Sequence, residues 1–191
     1  MLIASIILLL IAAYLVGAIP SGYLVARWAG MHDIRRFGSG NIGATNVARF
    51  LGIKYFFIVF FLDAFKAYAY LVGVAVWGVS PMVLLWCAVA LLCGNTWSLF
   101  LGGDGGKGMS TIIGILCAIH PMLFLCMIGI WLSALMYLRN VGIASVITMI
   151  SLPVVAYSFT DLYGVVMVAF MGLWIIWRHR ENIRLYYVVR V

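Results

Sequence analysis

Residues 1–27 read MLIASIILLLIAAYLVGAIPSGYLVAR, and no charged side chain occurs before the arginine that closes the run. Apolarity that is continuous over this length is the pattern of a helix in hydrocarbon. Inside a bilayer each backbone N–H and C=O needs a partner within the protein, so only helices or closed barrels cross it. A barrel would alternate apolar and polar residues, and this run does not. Further apolar stretches cover residues 53–77, 81–101, 109–120, 121–138, 143–159 and 162–178. Composition agrees. The 191 residues are 66% apolar and 9% charged, with a mean hydropathy of +1.18, whereas a soluble domain carries about 25% charged residues. The expected fold is all-α: a polytopic membrane protein of about seven transmembrane helices, forming one domain over residues 1–191. The first run lacks the positive n-region of a signal peptide and reads as a retained span. The stretch 109–120 is short for a hydrocarbon core of about 30 Å. His120-Pro121 ends it in a turn.

Charge placement gives the expected orientation. With seven spans, Arg27, Arg35, Arg36, Arg49, Lys54, Lys107, Arg139, Arg178, Arg180, Arg184 and Arg190 share one side. The other side, with residues 78–80, the His120 turn and Asp161, has no Lys or Arg. Positive residues stay cytoplasmic, which puts the N-terminus outside and the C-terminus on the cytoplasmic side of an inner membrane. Fusing 109–138 into one bent helix would move Arg139 to the wrong side. The net charge of +7 is thus an orientation signal, and no nucleic-acid partner is expected. Lys66 is the exception, three residues from Asp63 inside a span. An ion pair fixing helix packing is the favoured reading, ahead of direct catalysis. Cys87, Cys93, Cys117 and Cys126 form no CxxC pair and read as small packing residues; neither a disulfide nor a metal site is expected.

Three polar stretches remain. The first is Arg35-Arg36-Phe37-Gly38-Ser39-Gly40-Asn41-Ile42-Gly43-Ala44-Thr45-Asn46, followed by Arg49. Glycines such as Gly40 let backbone N–H groups converge on a ligand. Ser39, Asn41, Thr45 and Asn46 add neutral donors, and the arginines add charge. The set suits a phosphate, or else it is a polar turn with positive-inside arginines. The second stretch is Gly102-Gly103-Asp104-Gly105-Gly106-Lys107-Gly108, then Ser110-Thr111. It is not a Walker motif, because Gly108 stands where Ser or Thr would hold magnesium. Gly105, Gly106 and Gly108 still open into a helix whose N-terminus attracts anions, beside the charge of Lys107. We read it as anion-binding, with a flexible hinge as the alternative. The third is Arg178-His179-Arg180-Glu181-Asn182-Ile183-Arg184. If the last span continues as helix, His179 and Asn182 share a face and offer proton transfer and substrate orientation. The alternative is a headgroup anchor. Ser145 and Asn95 are polar residues within spans that would face the same interior.

Taken in order, these stretches resemble the bacterial acyl-phosphate-dependent glycerol-3-phosphate acyltransferases, which are integral membrane enzymes. The resemblance rests on Ile19-Pro20-Ser21-Gly22-Tyr23-Leu24, the Gly38–Asn46 segment, Leu62-Asp63 with Lys66, Gly105-Gly106-Lys107-Gly108, and His179-Arg180-Glu181-Asn182-Ile183. It implies seven helices and a cytoplasm-facing site. It also implies transfer of a fatty acyl group from acyl phosphate to the 1-hydroxyl of glycerol 3-phosphate, giving lysophosphatidic acid and phosphate. No cofactor or metal is implied, and neither acyl-CoA nor acyl carrier protein is the direct donor. Ser39, Lys107, His179 and Asn182 would be catalytic. Thr45, Asn46 and Arg49 would hold substrate phosphates, joined by Gly40, Asn41, Gly105, Gly106, Gly108 and Ser145.

The chain departs from the family pattern in places. Asn95 stands for a histidine, Asp104 for a lysine and Gly142 for a serine, and the tail after Asn182 differs. Asp104 is expected to oppose phosphate binding. Two other readings stand beside the enzyme: a small-anion transporter or channel, and a catalytically weakened lipid-binding paralogue. The enzyme reading requires the separated polar stretches to converge on one anion pocket at the inner leaflet.

Overall fold

The computed structural model of the chain describes residues 2–188; Arg190 lies outside them. The described residues hold α-helices and short 3-10 turns, with no strand among them. In order, the α-helices are α1 (Ile3–Ala18), α2 (Ser21–Trp28), α3 (Ala44–Leu51), α4 (Ile53–Ala75), α5 (Pro81–Thr96), α6 (Met109–Ile119), α7 (Pro121–Leu138), α8 (Val141–Ala156), α9 (Leu162–Arg178) and α10 (Arg180–Val188). They form two compact units, one ending at Ile119 and the other beginning at His120.

Each expected apolar stretch carries a helix, but their lengths differ. Four segments are long and apolar enough to cross a membrane: Ile3–Trp28, Ile53–Ala75, Pro81–Leu101 and Pro121–Leu138. A fifth is possible if α9 and the helical residues Arg180–Tyr186 count as one span, bent by 57°. With 11 and 16 residues, α6 and α8 reach only about 16 and 24 Å at 1.5 Å per residue, short of a core about 30 Å thick. Large apolar side chains face outward: Leu8, Phe61, Phe65, Leu125 and Leu173 are each at least 60% exposed. Soluble monomers rarely carry so much exposed apolar surface; a lipid environment accounts for it.

The expected first span is two helices. Ile19-Pro20 separates α1 from α2, because proline lacks an N–H and crowds the preceding turn. Carbonyls freed by such a break need new donors in hydrocarbon. The Ser98 hydroxyl donates to the Ala18 carbonyl at 2.6 Å, and Lys66 Nζ donates to the Ile19 carbonyl at 2.7 Å. Lys66 also pairs with Asp63 at 2.7 Å, both side chains nearly buried. The helix breaks at His120: α6 ends at Ile119, Pro121 opens α7, and His120 Nδ1 accepts from the Leu123 N–H at 3.4 Å.

In the first unit α1 packs on α5, and α4 packs on both α3 and α6. Residues 28–52, expected to be a loop, are a folded cap. Val25, Ala26, Ile34, Ile42, Ala44 and Val47 bury together against Val59 of α4. In the second unit α8 packs between α7 and α9. Ala144, Met149, Leu152, Met171 and Ile175 lie at the centre of that packing.

Candidate functional site

The first loop is organised around one buried side chain. Asn46, on the first turn of α3, is 3% exposed. Its Oδ1 accepts from the Ser39 N–H at 3.1 Å, and its Nδ2 donates to the carbonyls of Phe37 and Asn41, each at 2.9 Å. An asparagine amide has two donors, and both are used here. This side chain shapes the loop that presents Ser39. Gly38 has φ +58, and a Cβ there would lie 2.4 Å from Asn46 Oδ1. Only glycine fits that turn. Ser39, Gly40, Thr45 and Arg49 remain exposed on the outer side.

Asn46→Ala is expected to raise hydrogen exchange at the Ser39 amide about fivefold to tenfold, from a net hydrogen-bond contribution of about 1 kcal/mol. Amides of α4 and α5 should not change. Unaltered exchange at Ser39 would remove Asn46 from this role.

Asp33 anchors the start of the loop. Its carboxylate accepts from the Arg35 N–H at 3.0 Å and pairs with the guanidinium at 2.9 Å. Chiefly through that side-chain hydrogen bond, Arg35 holds the Asp33 carboxyl below the usual carboxylate range. The folded value is the depressed one, so the anchor is fully present above about pH 4 and is lost only as acid titrates Asp33 through its lowered value. It does not change across neutral pH.

Arg35 also joins the two glycine-bearing loops. Its Nη1 lies 3.4 Å from the Leu101 carbonyl and 3.4 Å from Asp104 Oδ2, and its guanidinium sits over the Tyr23 ring at 5.6 Å. Asp104 was expected to oppose an anion, but its charge faces Arg35. Nearby, Asn41 Nδ2 donates to the Gly105 carbonyl at 3.4 Å, while its Oδ1 accepts from the Gly43 N–H at 2.8 Å. Asn41 thus fastens one loop to the other.

The glycine loop of residues 102–108 is seated on the end of α5. The Gly106 N–H donates to the Asn95 carbonyl at 2.7 Å, so it is committed to the scaffold and is not available to an anion. Gly105, Gly106 and Gly108 are buried, with Lys107 half-buried between them. α6 begins directly after Gly108. Its N-terminal dipole end and the Lys107 ammonium place positive charge beside Gly105-Gly106.

The remaining expected site residues, Ser145, His179 and Asn182, belong to the second unit. Ser145, on α8, is 2% exposed. Its hydroxyl donates to the Val141 carbonyl at 2.8 Å and accepts from Trp131 Nε1 at 3.2 Å. These contacts pack Ser145 between α7 and α8. His179 does not continue a straight helix. It caps α9, and α10 starts at Arg180. The imidazole is 5% exposed, with Nδ1 2.9 Å from the Ile175 carbonyl. A carbonyl only accepts, so Nδ1 carries the proton. In the neutral ring that leaves the lone pair on Nε2. Asn182 sits beside α8, its Nδ2 only 2.6 Å from where a Gly142 Cβ would stand. The departure at Gly142 thus makes room for the Asn182 amide.

Sequence reasoning missed Asp33 and the Arg35–Asp104 link. The Asp-x-Arg spacing was the available local signal for the first; nothing local announces the second.

The chain is similar in sequence and fold to known acyltransferases. A family model described as glycerol-3-phosphate acyltransferase matches residues 7–187. A glycerol-3-phosphate acyltransferase of Aquifex aeolicus is 39% identical over 180 residues, covering 92% of each chain. One from Thermus thermophilus is 40% identical over 176 residues, covering 92% of this chain and 88% of its own. Among solved structures, the glycerol 3-phosphate form of PlsY (YgiH), an integral membrane glycerol 3-phosphate acyltransferase, matches with TM-score 0.90 at 37% identity, over 97% of this chain and 94% of the other. Its lysophosphatidic acid form matches with TM-score 0.88 at 36% identity, over 97% and 93%. The chain therefore belongs to the glycerol-3-phosphate acyltransferase family of integral membrane proteins.

Proposed function

We propose that the protein transfers a fatty acyl group from acyl phosphate to the 1-hydroxyl of glycerol 3-phosphate, releasing lysophosphatidic acid and phosphate. The observation that carries this reading is the fastening of the Ser39 loop to the Gly105-Gly106-Lys107-Gly108 loop through Asn41 and Arg35. One substrate is a small dianion and the other a phosphate on a fatty chain. A basic double loop at the ends of lipid-facing helices suits both. Family membership supports the acceptor, and the acyl phosphate donor is our assignment. The protein would cross a bacterial inner membrane with its N-terminus outside, its glycine loops and C-terminus at the cytoplasmic face, and up to seven apolar helices in the bilayer.

In this mechanism the acceptor hydroxyl oxygen attacks the acyl carbonyl carbon. The bond from that carbon to the phosphate oxygen breaks, and phosphate leaves with the electron pair. His179 Nε2 takes the hydroxyl proton, and Asn182 orients the acceptor. Lys107 and the α6 N-terminus stabilise the departing phosphate and the oxyanion. Ser39 donates a hydrogen bond and forms no acyl intermediate, since no base lies adjacent in its loop. Thr45 and Arg49 hold phosphate oxygens from the exposed side of α3. The contact between Asp104 and Arg35 argues against the weakened-paralogue reading, because the aspartate has a cationic neighbour.

Purified protein in lipid nanodiscs, given palmitoyl phosphate and labelled glycerol 3-phosphate, is expected to form labelled lysophosphatidic acid and equimolar phosphate. Palmitoyl-CoA should not replace the donor. Transport of glycerol 3-phosphate into vesicles without product, or activity with acyl-CoA alone, would sink this function.

A further inference from the structure

We infer that Asn95 is a positioning residue, held by the Asp63–Lys66 ion pair, that sets the register of the loop carrying Lys107. The inference rests on the proposed function for its kinetic consequences but not for its structural one. Asn95 is 6% exposed at the end of α5. Its carbonyl accepts from the Gly106 N–H at 2.7 Å. A Cβ on Gly105 would lie 2.2 Å from that carbonyl oxygen, and one on Gly106 would lie 2.9 Å from Asn95 Nδ2. The loop backbone therefore rests directly on both the main chain and the side chain of Asn95, with no methyl-sized gap.

The other face of Asn95 meets a buried charge. Lys66 Nζ donates to Asn95 Oδ1 at 3.4 Å, to the Ile19 carbonyl at 2.7 Å, and pairs with Asp63 at 2.7 Å. The ammonium is thus fixed at three points: the carboxylate one turn earlier on α4, the broken backbone between α1 and α2, and the asparagine under the loop. A buried charge held this way tolerates little displacement. It links two sequence motifs with no evident common purpose, Ile19-Pro20 and Asp63-Lys66, to the glycine loop. In the expected reading the ion pair only fixed helix packing; the geometry gives it the additional task of orienting Asn95.

The test uses Asn95→Leu, which leaves the ion pair intact, and the double variant Asp63→Leu/Lys66→Met, which removes both charges together and so leaves no uncompensated buried ion. In full-length protein in nanodiscs, each should speed amide exchange at residues 105–108 by about tenfold, because each removes the Lys66–Asn95 side-chain contact that fixes the carbonyl holding the Gly106 N–H. Exchange in α4 and in the body of α6 should stay as in the wild type. Each should also lower kcat by about 10²-fold, the scale of loss for a slightly misplaced catalytic group. Adding Asn95→Leu to Lys107→Ala should cost less than about twofold more, because the two act through one group. Unchanged exchange at 105–108, or a kcat loss that multiplies with that of Lys107→Ala, would overturn the inference. If the wild type makes no lysophosphatidic acid, the function fails while the exchange result alone decides the role of Asn95.

Discussion

Lys107→Ala is expected to lower kcat for lysophosphatidic acid formation by about 10²–10³-fold, the loss seen when one preorganised charge donor is removed from a transition state. The KM for glycerol 3-phosphate should change much less. The size of the effect follows from how the loop is held. Gly106 is tied to Asn95 below it, Gly105 to Asn41 beside it, and α6 starts at Met109, directly after Gly108. The ammonium is thus carried by a backbone fixed on both sides, next to a helix N-terminus. In the proposed reaction little reorganisation would be needed as negative charge moves onto the leaving phosphate, and such preorganisation favours the transition state over bound substrate. Lys107→Arg keeps the charge but replaces a compact ammonium with a broad planar fork. It should recover activity only in part. Initial rates with palmitoyl phosphate and labelled glycerol 3-phosphate make the comparison, with a monodisperse elution profile as the folding control. A Lys107→Ala protein within about threefold of wild-type kcat, far short of the loss one donor carries, would remove Lys107 from the reaction.

The parts of the fold legible in the sequence are those governed by solvent. Long apolar runs report a bilayer whatever the tertiary packing, so each apolar stretch and its approximate limits are legible. Pro121 after His120 announces the helix break locally. The break at Ile19-Pro20 was harder to read. A proline within a span can be tolerated when distant donors cover the freed carbonyls, and here those donors are Ser98 and Lys66. The residues of both glycine loops were also visible, because glycine and small polar side chains stand out in apolar surroundings. Their division of labour was not. Asn46, Asn41, Ser145 and Ser39 look alike as neutral hydrogen-bonding residues. Only three-dimensional contacts show that Asn46 and Asn41 tie loops together, that Ser145 binds its own helix and Trp131, and that Ser39 is left outward. Asp104 illustrates the same limit with charge. Alone it reads as hostile to phosphate; 69 residues away in sequence, Arg35 faces it.

His179→Ala should lower kcat by about 10²–10⁴-fold, the range for loss of a general base. It should also remove the acidic limb of the pH–rate profile. The directional argument comes from Nδ1. Its 2.9 Å contact with the Ile175 carbonyl requires a proton on Nδ1, so Nε2 is the nitrogen able to accept one. The same contact fixes the ring against the last turn of α9, where the 57° bend lets α10 leave in a new direction. A straight helix would carry the following residues, Asn182 included, elsewhere. Two variants separate chemistry from shape. His179→Gln keeps a polar group near Ile175 but supplies no base, and it should be as slow as His179→Ala with a flat acidic limb. Ile175→Val trims the residue whose carbonyl holds the ring without removing that carbonyl. It should leave the acidic limb in place. The discriminating result is the pH profile rather than the rate alone: a His179→Gln enzyme that is slow yet still loses activity in acid as the wild type does would place the base elsewhere and leave His179 as the residue that turns the helix.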